Sequence, residues 1–389
     1  MGYLGNVKKQ YWIQFFRSLI PAYVIERLFW QARGMDVQRV AYCEILFALT
    51  VIVLEIPSGI LADRFGRKRL LVVSGVLSAL EFLLLLRANS FWMFGVVCVL
   101  AGVGTALASG SQNALLYDSL LAENKQNDFE KLLGRLAALG LAGVIIASLS
   151  GSVLANFLGF EFNYALSFCS MAIALALAFS LKEPPLGSKA EPEEFGIMPY
   201  IKESIVLFRA KPLVLLYCLS GAVLGACLVY LDEFWQLLIQ GVGVPVLFFG
   251  VVLSLELSAK IPGNLLAYKL KERFGYNAVL TALIAVNAFG YAAVFFTRNV
   301  FVLVPIFVVS LAGGITEPLV TGYLHHQTQS HIRATVESFA SLGLRLLSVP
   351  VGLVFGYLCT QFTIFAGFAA LAAAVAGYGV FFAAMQKKR

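Results

Sequence analysis

Residues 55–69 read Glu55-Ile56-Pro57-Ser58-Gly59-Ile60-Leu61-Ala62-Asp63-Arg64-Phe65-Gly66-Arg67-Lys68-Arg69. An apolar run ends inside this stretch, a short charged turn follows, and a second apolar run begins directly after it. Gly59 and Gly66 permit close helix approach and a tight turn. Asp63 is an anion at a helix end, able to meet the N-terminus of a neighbouring helix. Arg67 offers a planar fork for a carboxylate. A merely solvated basic loop would account for Lys68 and Arg69, but not for the placement of the glycines and Asp63.

Outward from this turn the same alternation repeats along the chain. Apolar runs fall near 11–32, 39–62, 69–88, 91–117, 132–158, 163–181, 212–236, 246–268, 277–297, 301–324, 334–358 and 362–384. Each is long enough for a tilted helix across a hydrocarbon core of about 30 Å. The 389 residues are 60% hydrophobic and 13% charged, which excludes a soluble globular chain. The spacing predicts an all-α integral membrane protein of twelve transmembrane helices.

The net charge of +7 comes from cations clustered between apolar runs, which marks membrane orientation and not nucleic-acid binding. Lys8, Lys9, Arg64, Arg67, Lys68, Arg69, Lys125, Lys131, Arg135, Lys182, Lys189, Lys202, Arg209, Lys211, Lys269, Lys271, Arg273, Arg333, Lys387, Lys388 and Arg389 fall on one side. Arg33, Arg39, Arg87 and Arg298 fall on the other. The positive-inside rule then places both termini in the cytoplasm and the chain in the cell (inner) membrane. The first apolar run carries Arg17, Glu26 and Arg27, which a cleavable signal-peptide core would not. The six cysteines have no metal-like spacing and read as small apolar fillers.

Two halves repeat. Glu26 lies eight residues before Gly34, and Glu233 eight before Gly241. Ile56-Pro57 matches Ile261-Pro262, and Arg64-Phe65-Gly66 matches Arg273-Phe274-Gly275. The expected organisation is a six-helix bundle over 1–181, a cytoplasmic linker with an amphipathic helix over 182–211, and a second six-helix bundle over 212–389. In the linker, Ile201, Ile205 and Phe208 share one helix face, with Lys202, Glu203 and Arg209 on others. Two pseudo-symmetric bundles are what transporters use to build a central site.

The turn at 59–69 resembles the signature of the major facilitator superfamily, glycine-x-leucine-alanine-aspartate-arginine-x-glycine-arginine-lysine, in the loop where that family carries it. The preceding Glu-Ile-Pro-Ser-Gly is similar to a prokaryotic branch of the superfamily. The resemblance implies a secondary transporter working by alternating access. It also implies that Gly59, Asp63, Arg64, Gly66 and Arg67, with Asp118 as the carboxylate partner, latch the cytoplasmic side shut in the outward-open state. In the second half, Tyr268 stands where the aspartate would be, which implies an asymmetric gate.

Ionisable side chains inside the apolar runs each cost roughly 2.5–3.5 kcal/mol at a helix centre, so they face a cavity or a partner. They are Arg17, Glu26, Glu44, Glu55, Glu81, Asp232, Glu233, Glu256, Lys260, Glu317 and Arg345. Glu256 and Lys260, four apart, are expected to pair. Glu81 is expected to pair with Arg87 or to snorkel, and Glu44 and Glu55 share a helix face. The resemblance implies that helices one, four, seven and ten line the cavity. They supply Glu26, Asp232, Glu233, Glu317 and Arg17, with Tyr23, Gln112, Asn113, Tyr117, Tyr217, Tyr230, Trp235 and Thr316. A desolvated carboxyl favours its neutral form and can load and release protons. Glu26 and Glu233, equivalent in the repeat, are the candidates for this, with Arg17 or Arg345 as alternative partners that would make them structural.

Carboxylates in excess of cations, with aromatic neighbours, point to proton-driven export of amphipathic neutral or cationic organic compounds. Export of an anionic metabolite or siderophore, or proton-coupled uptake, would instead use Arg17, Lys260 and Arg345. A lipid flippase is a third reading. A membrane-embedded enzyme is the reading from another class. Against it, His325, His326 and His331 are the only metal-like cluster, and no phosphate-binding loop or serine nucleophile elbow is present. The expected partners are a small-molecule substrate, protons and the lipid bilayer, with no cofactor, no nucleic acid and a monomeric chain. The fifth run carries Gly140, Gly143 and Gly151, but Ser150-Gly151 replaces the glycine-proline step that antiporters of the superfamily often show.

Overall fold

A computed structural model describes residues 3–125, 128–184, 206, 208–327 and 333–387. The linker expected over 182–211 lies mostly outside the described residues.

The first span is a broken helix: Leu4–Ser18, a 3-10 turn at Pro21–Val24, then Glu26–Ala32. Spans two to seven are Val37–Phe65, Arg67–Leu85, Phe91–Leu121, Phe129–Leu158, Phe160–Phe179 and Pro212–Gly241. The eighth and ninth form one run, Phe249–Phe296, divided by Gly275 in a left-handed conformation (φ 76°, ψ 164°) that a side chain would strain. The last three are Leu303–Gln327, Arg333–Gln361 and Ile364–Lys387. Among the described residues, nine helices are long and apolar enough to cross a membrane, the run through Gly275 being one of them. The broken first span and Arg67–Leu85, which carries Arg67, Lys68, Arg69 and Glu81, complete the twelve.

The chain folds as two units. One holds Met1–Met35, Tyr42–Glu193 and Pro245–Leu253. The other holds Asp36–Ala41, Glu194–Val244 and Ser254–Arg389.

The break in the first span has a local cause. Pro21 starts the 3-10 turn, and Leu19 and Ile25 leave helical geometry. In lipid the freed backbone groups must be satisfied within the protein. The sixth span does this with three side chains on one face. Asn163 Nδ2 donates to Pro21 O (3.0 Å), Ser167 Oγ accepts from the Ala22 N–H (3.0 Å), and Ser170 Oγ donates to Phe16 O (2.8 Å). The fifth span closes from the other side. A Cβ at Gly151 would lie 2.6 Å from Pro21 O, and one at Gly143 would lie 2.9 Å from Phe15 O.

In the second unit the backbones of spans eight and ten touch through a reciprocal pair of glycines. A Cβ at Gly263 would collide with Leu311 O, and one at Gly314 with Lys260 O. This contact fixes the height of Lys260. Gly314→Ala is therefore expected to lower stability by about 1–3 kcal/mol, the usual cost of overpacking. Thermal unfolding of the purified chain in detergent would show it, and an unchanged transition would mean that the two backbones separate freely.

Candidate functional site

Within the second unit, spans seven, ten and eleven enclose a cavity of about 580 Å³. Gly221, Gly225 and Gly313 line it, and a Cβ at Gly225 would lie 2.6 Å from the Leu344 side chain and one at Gly313 2.5 Å from Leu228. The wall is mainly Leu224, Leu228, Val320, Leu324 and Leu344, with Asp232, Asn287, Thr316 and Glu317 as its main polar groups. Thr316 donates to Ala312 O (2.8 Å) and Asn287 to Leu283 O (2.9 Å), so both have a partner within their own helix. Thr321 and Ser341 add hydroxyls, and Asp232 and Glu317 are the charged groups of the lining.

They differ in their company. Lys260 Nζ reaches Asp232 Oδ1 at 3.1 Å and Oδ2 at 3.0 Å, and Glu256 Oε1 at 3.4 Å. Glu256 is 3% exposed and also accepts from Ser310 Oγ (3.0 Å). The intrahelical Glu256–Lys260 pair is thus part of a triad that takes in Asp232. Glu317 is exposed on the cavity wall, and among the described residues it forms no ion pair. Glu233, beside Asp232, is half-buried and does not line this cavity.

Some expected lining residues are packing residues. Tyr217, Tyr230 and Trp235 are each 3% exposed or less. Tyr230 donates to Ser348 O (2.7 Å) and packs on Phe355, while Tyr217 lies between Tyr276 and Tyr323. Aromatics on an apolar helix look alike in sequence whether they face a cavity or a core. Among the described residues neither Arg345 nor Arg17 forms an ion pair.

In the first unit Arg17 lines a small recess with Gln10 and Gln112, and Gln112 Nε2 donates to Gln14 Oε1 (2.8 Å). Asn113, Tyr23 and Tyr117 are exposed. Tyr117 rests edge-on against Phe129, and Tyr23 lies 6.0 Å from the Phe82 ring. One partner of Glu26 is its own neighbour. Arg27, 3% exposed, places Nη1 4.0 Å from Glu26 and donates through Nη2 to Glu44 Oε1 (2.5 Å), with its guanidinium 4.9 Å from the Trp30 ring centre. Arg27 carries this cluster and was not singled out from sequence, because beside Glu26 it reads as a span-end cation. Glu81 does not follow the expected pairing with Arg87: it lies in the electrostatic field of Glu26 and Glu44. Glu55, eleven residues or about 16 Å along the helix from Glu44, is exposed and outside the cluster.

At the charged turn, Arg67 Nη1 donates to Asp118 Oδ2 and to Ala114 O (2.9 Å), joining spans three and four. Arg64 is exposed, its guanidinium over the Phe65 ring. Gly59 and the Asp63 side chain lie outside what the structure describes. Gly66 has φ 94° and begins the third span. A carboxylate that sequence reading missed caps that helix: Glu183, just past the sixth span, accepts from the backbone N–H groups of Arg67 and Lys68, both at 2.8 Å. An anion at a helix N-terminus satisfies orphan donors and meets the positive end of the dipole. Glu183→Ala is expected to cost roughly 0.5–2 kcal/mol, the range for losing a cap. The measurement is thermal stability in detergent, where an unaltered midpoint would show the cap to be dispensable.

A family profile described as Major Facilitator Superfamily matches residues 13–336. A tetracycline resistance protein, class H, from Pasteurella multocida is 23% identical over 303 residues, covering 75% of this chain and 72% of that protein. Multidrug resistance protein MdtG of Escherichia fergusonii is 24% identical over 307 residues, covering 76% and 72%. Among solved structures, that of the nucleoside transporter NupG superposes with a TM-score of 0.79 over the whole of both chains at 15% identity, a likeness of fold.

Proposed function

The chain belongs to the Major Facilitator Superfamily, a family of multi-pass membrane transporters and not of enzymes, and from that premise we propose that it exports amphipathic neutral or cationic organic compounds in exchange for protons. The observation that carries the substrate class is Glu317, a carboxylate with no cation partner among the described residues, on the wall of a mostly apolar cavity. Such a wall suits a molecule with an apolar body and one positive centre. The relatives named for tetracycline and multidrug resistance support the outward direction. Lys260 is held between Asp232 and Glu256, which weighs against an anionic substrate drawn to that cation.

In this reading Glu317 and Asp232 face the substrate, while Glu26 and Glu233, equivalent in the repeat, serve proton coupling. Arg67 and Asp118, with Gly59, Asp63, Arg64 and Gly66, form the cytoplasmic latch. The clustered cations favour both termini in the cytoplasm, and in this reading the chain works as a monomer. The test uses inside-out vesicles carrying the protein, acidified inside and followed with a pH-sensitive dye. A panel of cationic, neutral and anionic compounds is added. Release of the gradient by cationic or neutral compounds, only with the intact protein, is the expected result. Release by anionic compounds alone, or by none, would reject the export reading.

A further inference from the structure

Spans seven and ten run side by side in opposite directions through the second unit. A Cβ at Gly221 would lie 3.0 Å from Val320 Cγ1, and one at Gly313 would lie 2.5 Å from Leu228 Cδ2. Gly221 is therefore level with Val320, and Leu228 with Gly313. Asp232 follows Leu228 by one turn on the same helix face, and Glu317 follows Gly313 by one turn in the opposite direction. The two carboxylates thus stand eight residues apart along the pair, about 12 Å at 1.5 Å per residue. Both line the cavity, which follows span seven from Cys218 to Asp232, or about 21 Å, so it is a slot and not a sphere. Leu228, and Leu344 packed at Gly225, line the length between the two acids.

Each end of that length is anionic. Glu317 forms no ion pair among the described residues. Asp232 shares Lys260 with Glu256, so this triad of two carboxylates and one ammonium keeps one net negative charge. Asp232 is its accessible member, with 37% of its side chain exposed, while Glu256 is buried. A carboxylate has about four lone-pair sites. Asp232 can therefore accept from a cation in the cavity while Lys260 stays between the two acids. Arg345, next to the lining residue Leu344, does not border the cavity and forms no ion pair among the described residues. A substrate with one positive centre answers Glu317 and leaves the Asp232 end unmatched. We propose that the cavity takes elongated organic dications, with one positive centre at Glu317, a second about 12 Å away at Asp232, and an apolar chain along Leu228 and Leu344 between them. This substrate class rests on the cation-export reading above and adds a second charge to it.

Binding to the purified full-length protein in detergent tests this without transport. Calorimetry is run with straight-chain terminal diamines of four, eight and twelve methylenes, and with octylamine as the single-charge control. Titrations into protein-free micelles are subtracted. The eight-methylene diamine, extended, comes nearest the spacing of the two carboxylates. It is expected to bind most tightly of the series, and about tenfold more tightly than octylamine. In Asp232→Asn that advantage is expected to disappear, with Lys260 still paired to Glu256. Asp232→Glu keeps the charge and should keep the advantage. That variant, with the length series on the native chain, answers a folding failure of Asp232→Asn. Equal affinity for one charge and two, a steady rise with chain length, or an advantage that survives Asp232→Asn would overturn the dication. Octylamine binding that needs Glu317, with no gain from a second charge, would overturn it and leave the one-centre reading standing. Diamine binding with silent vesicles would reject export and keep the site. Absence of binding by every probe would overturn the dication site, and export would then stand only on a vesicle response to neutral compounds.

Discussion

Lys260→Met will leave the purified protein unstable or prevent its accumulation in the membrane. Lys260 is the cation shared by Asp232 and Glu256, at 3.0 and 3.4 Å. Without it two carboxylates face each other, and Glu256 is 3% exposed. Breaking a buried ion pair on one side costs roughly 3–5 kcal/mol, and the lower end applies here because Asp232 also borders the cavity. Lys260→Arg should restore most of the loss, since a guanidinium can meet both carboxylates. Glu256→Gln added to Lys260→Met should also recover much of it, because the amide keeps an acceptor for Ser310 and removes one charge. Thermal unfolding and membrane yield are the readouts. Full stability of Lys260→Met would show that water, and not Lys260, balances the two acids.

The triad also shows what the sequence made legible. An acid and a base four apart in an apolar run announce an intrahelical pair. Nothing in the spacing brings Asp232, 28 residues away, to the same ammonium; that requires spans seven and eight to be neighbours. The same holds in the first unit. The membrane spans and the Arg67 turn follow from local pattern, and the Arg67–Asp118 bond was reached through family resemblance. The meeting of Glu26, Glu44 and Glu81 depends on how three spans rotate about their axes, which apolar composition all round leaves undetermined. One signal was available and missed. Asn163, Ser167 and Ser170 recur at i, i+4 and i+7 in an otherwise apolar run, a polar stripe that marks a helix face turned toward exposed backbone. Such a stripe marks the sixth span as the helix that faces the Pro21 break.

Glu317→Gln will separate cationic from neutral substrates. The side chain keeps its length and its position among Gly313, Thr316 and Val320, so the cavity stays the same size. What is lost is one negative charge that no cation among the described residues offsets. A hydrogen bond to a charged group contributes about 1.5–3 kcal/mol, so the affinity for an organic cation should fall roughly 10- to 100-fold. A neutral analogue of the same shape gains nothing from the charge and should lose little. Binding measured on purified protein with such a matched pair isolates this effect from transport. An equal loss for both members would mean that Glu317 shapes the cavity and does not read charge. No loss for either would shift the cationic centre toward Asp232. That carboxylate is already shared with Lys260, so it offers a substrate less field than Glu317 does, and on this ground Glu317 is the residue expected to select for positive charge.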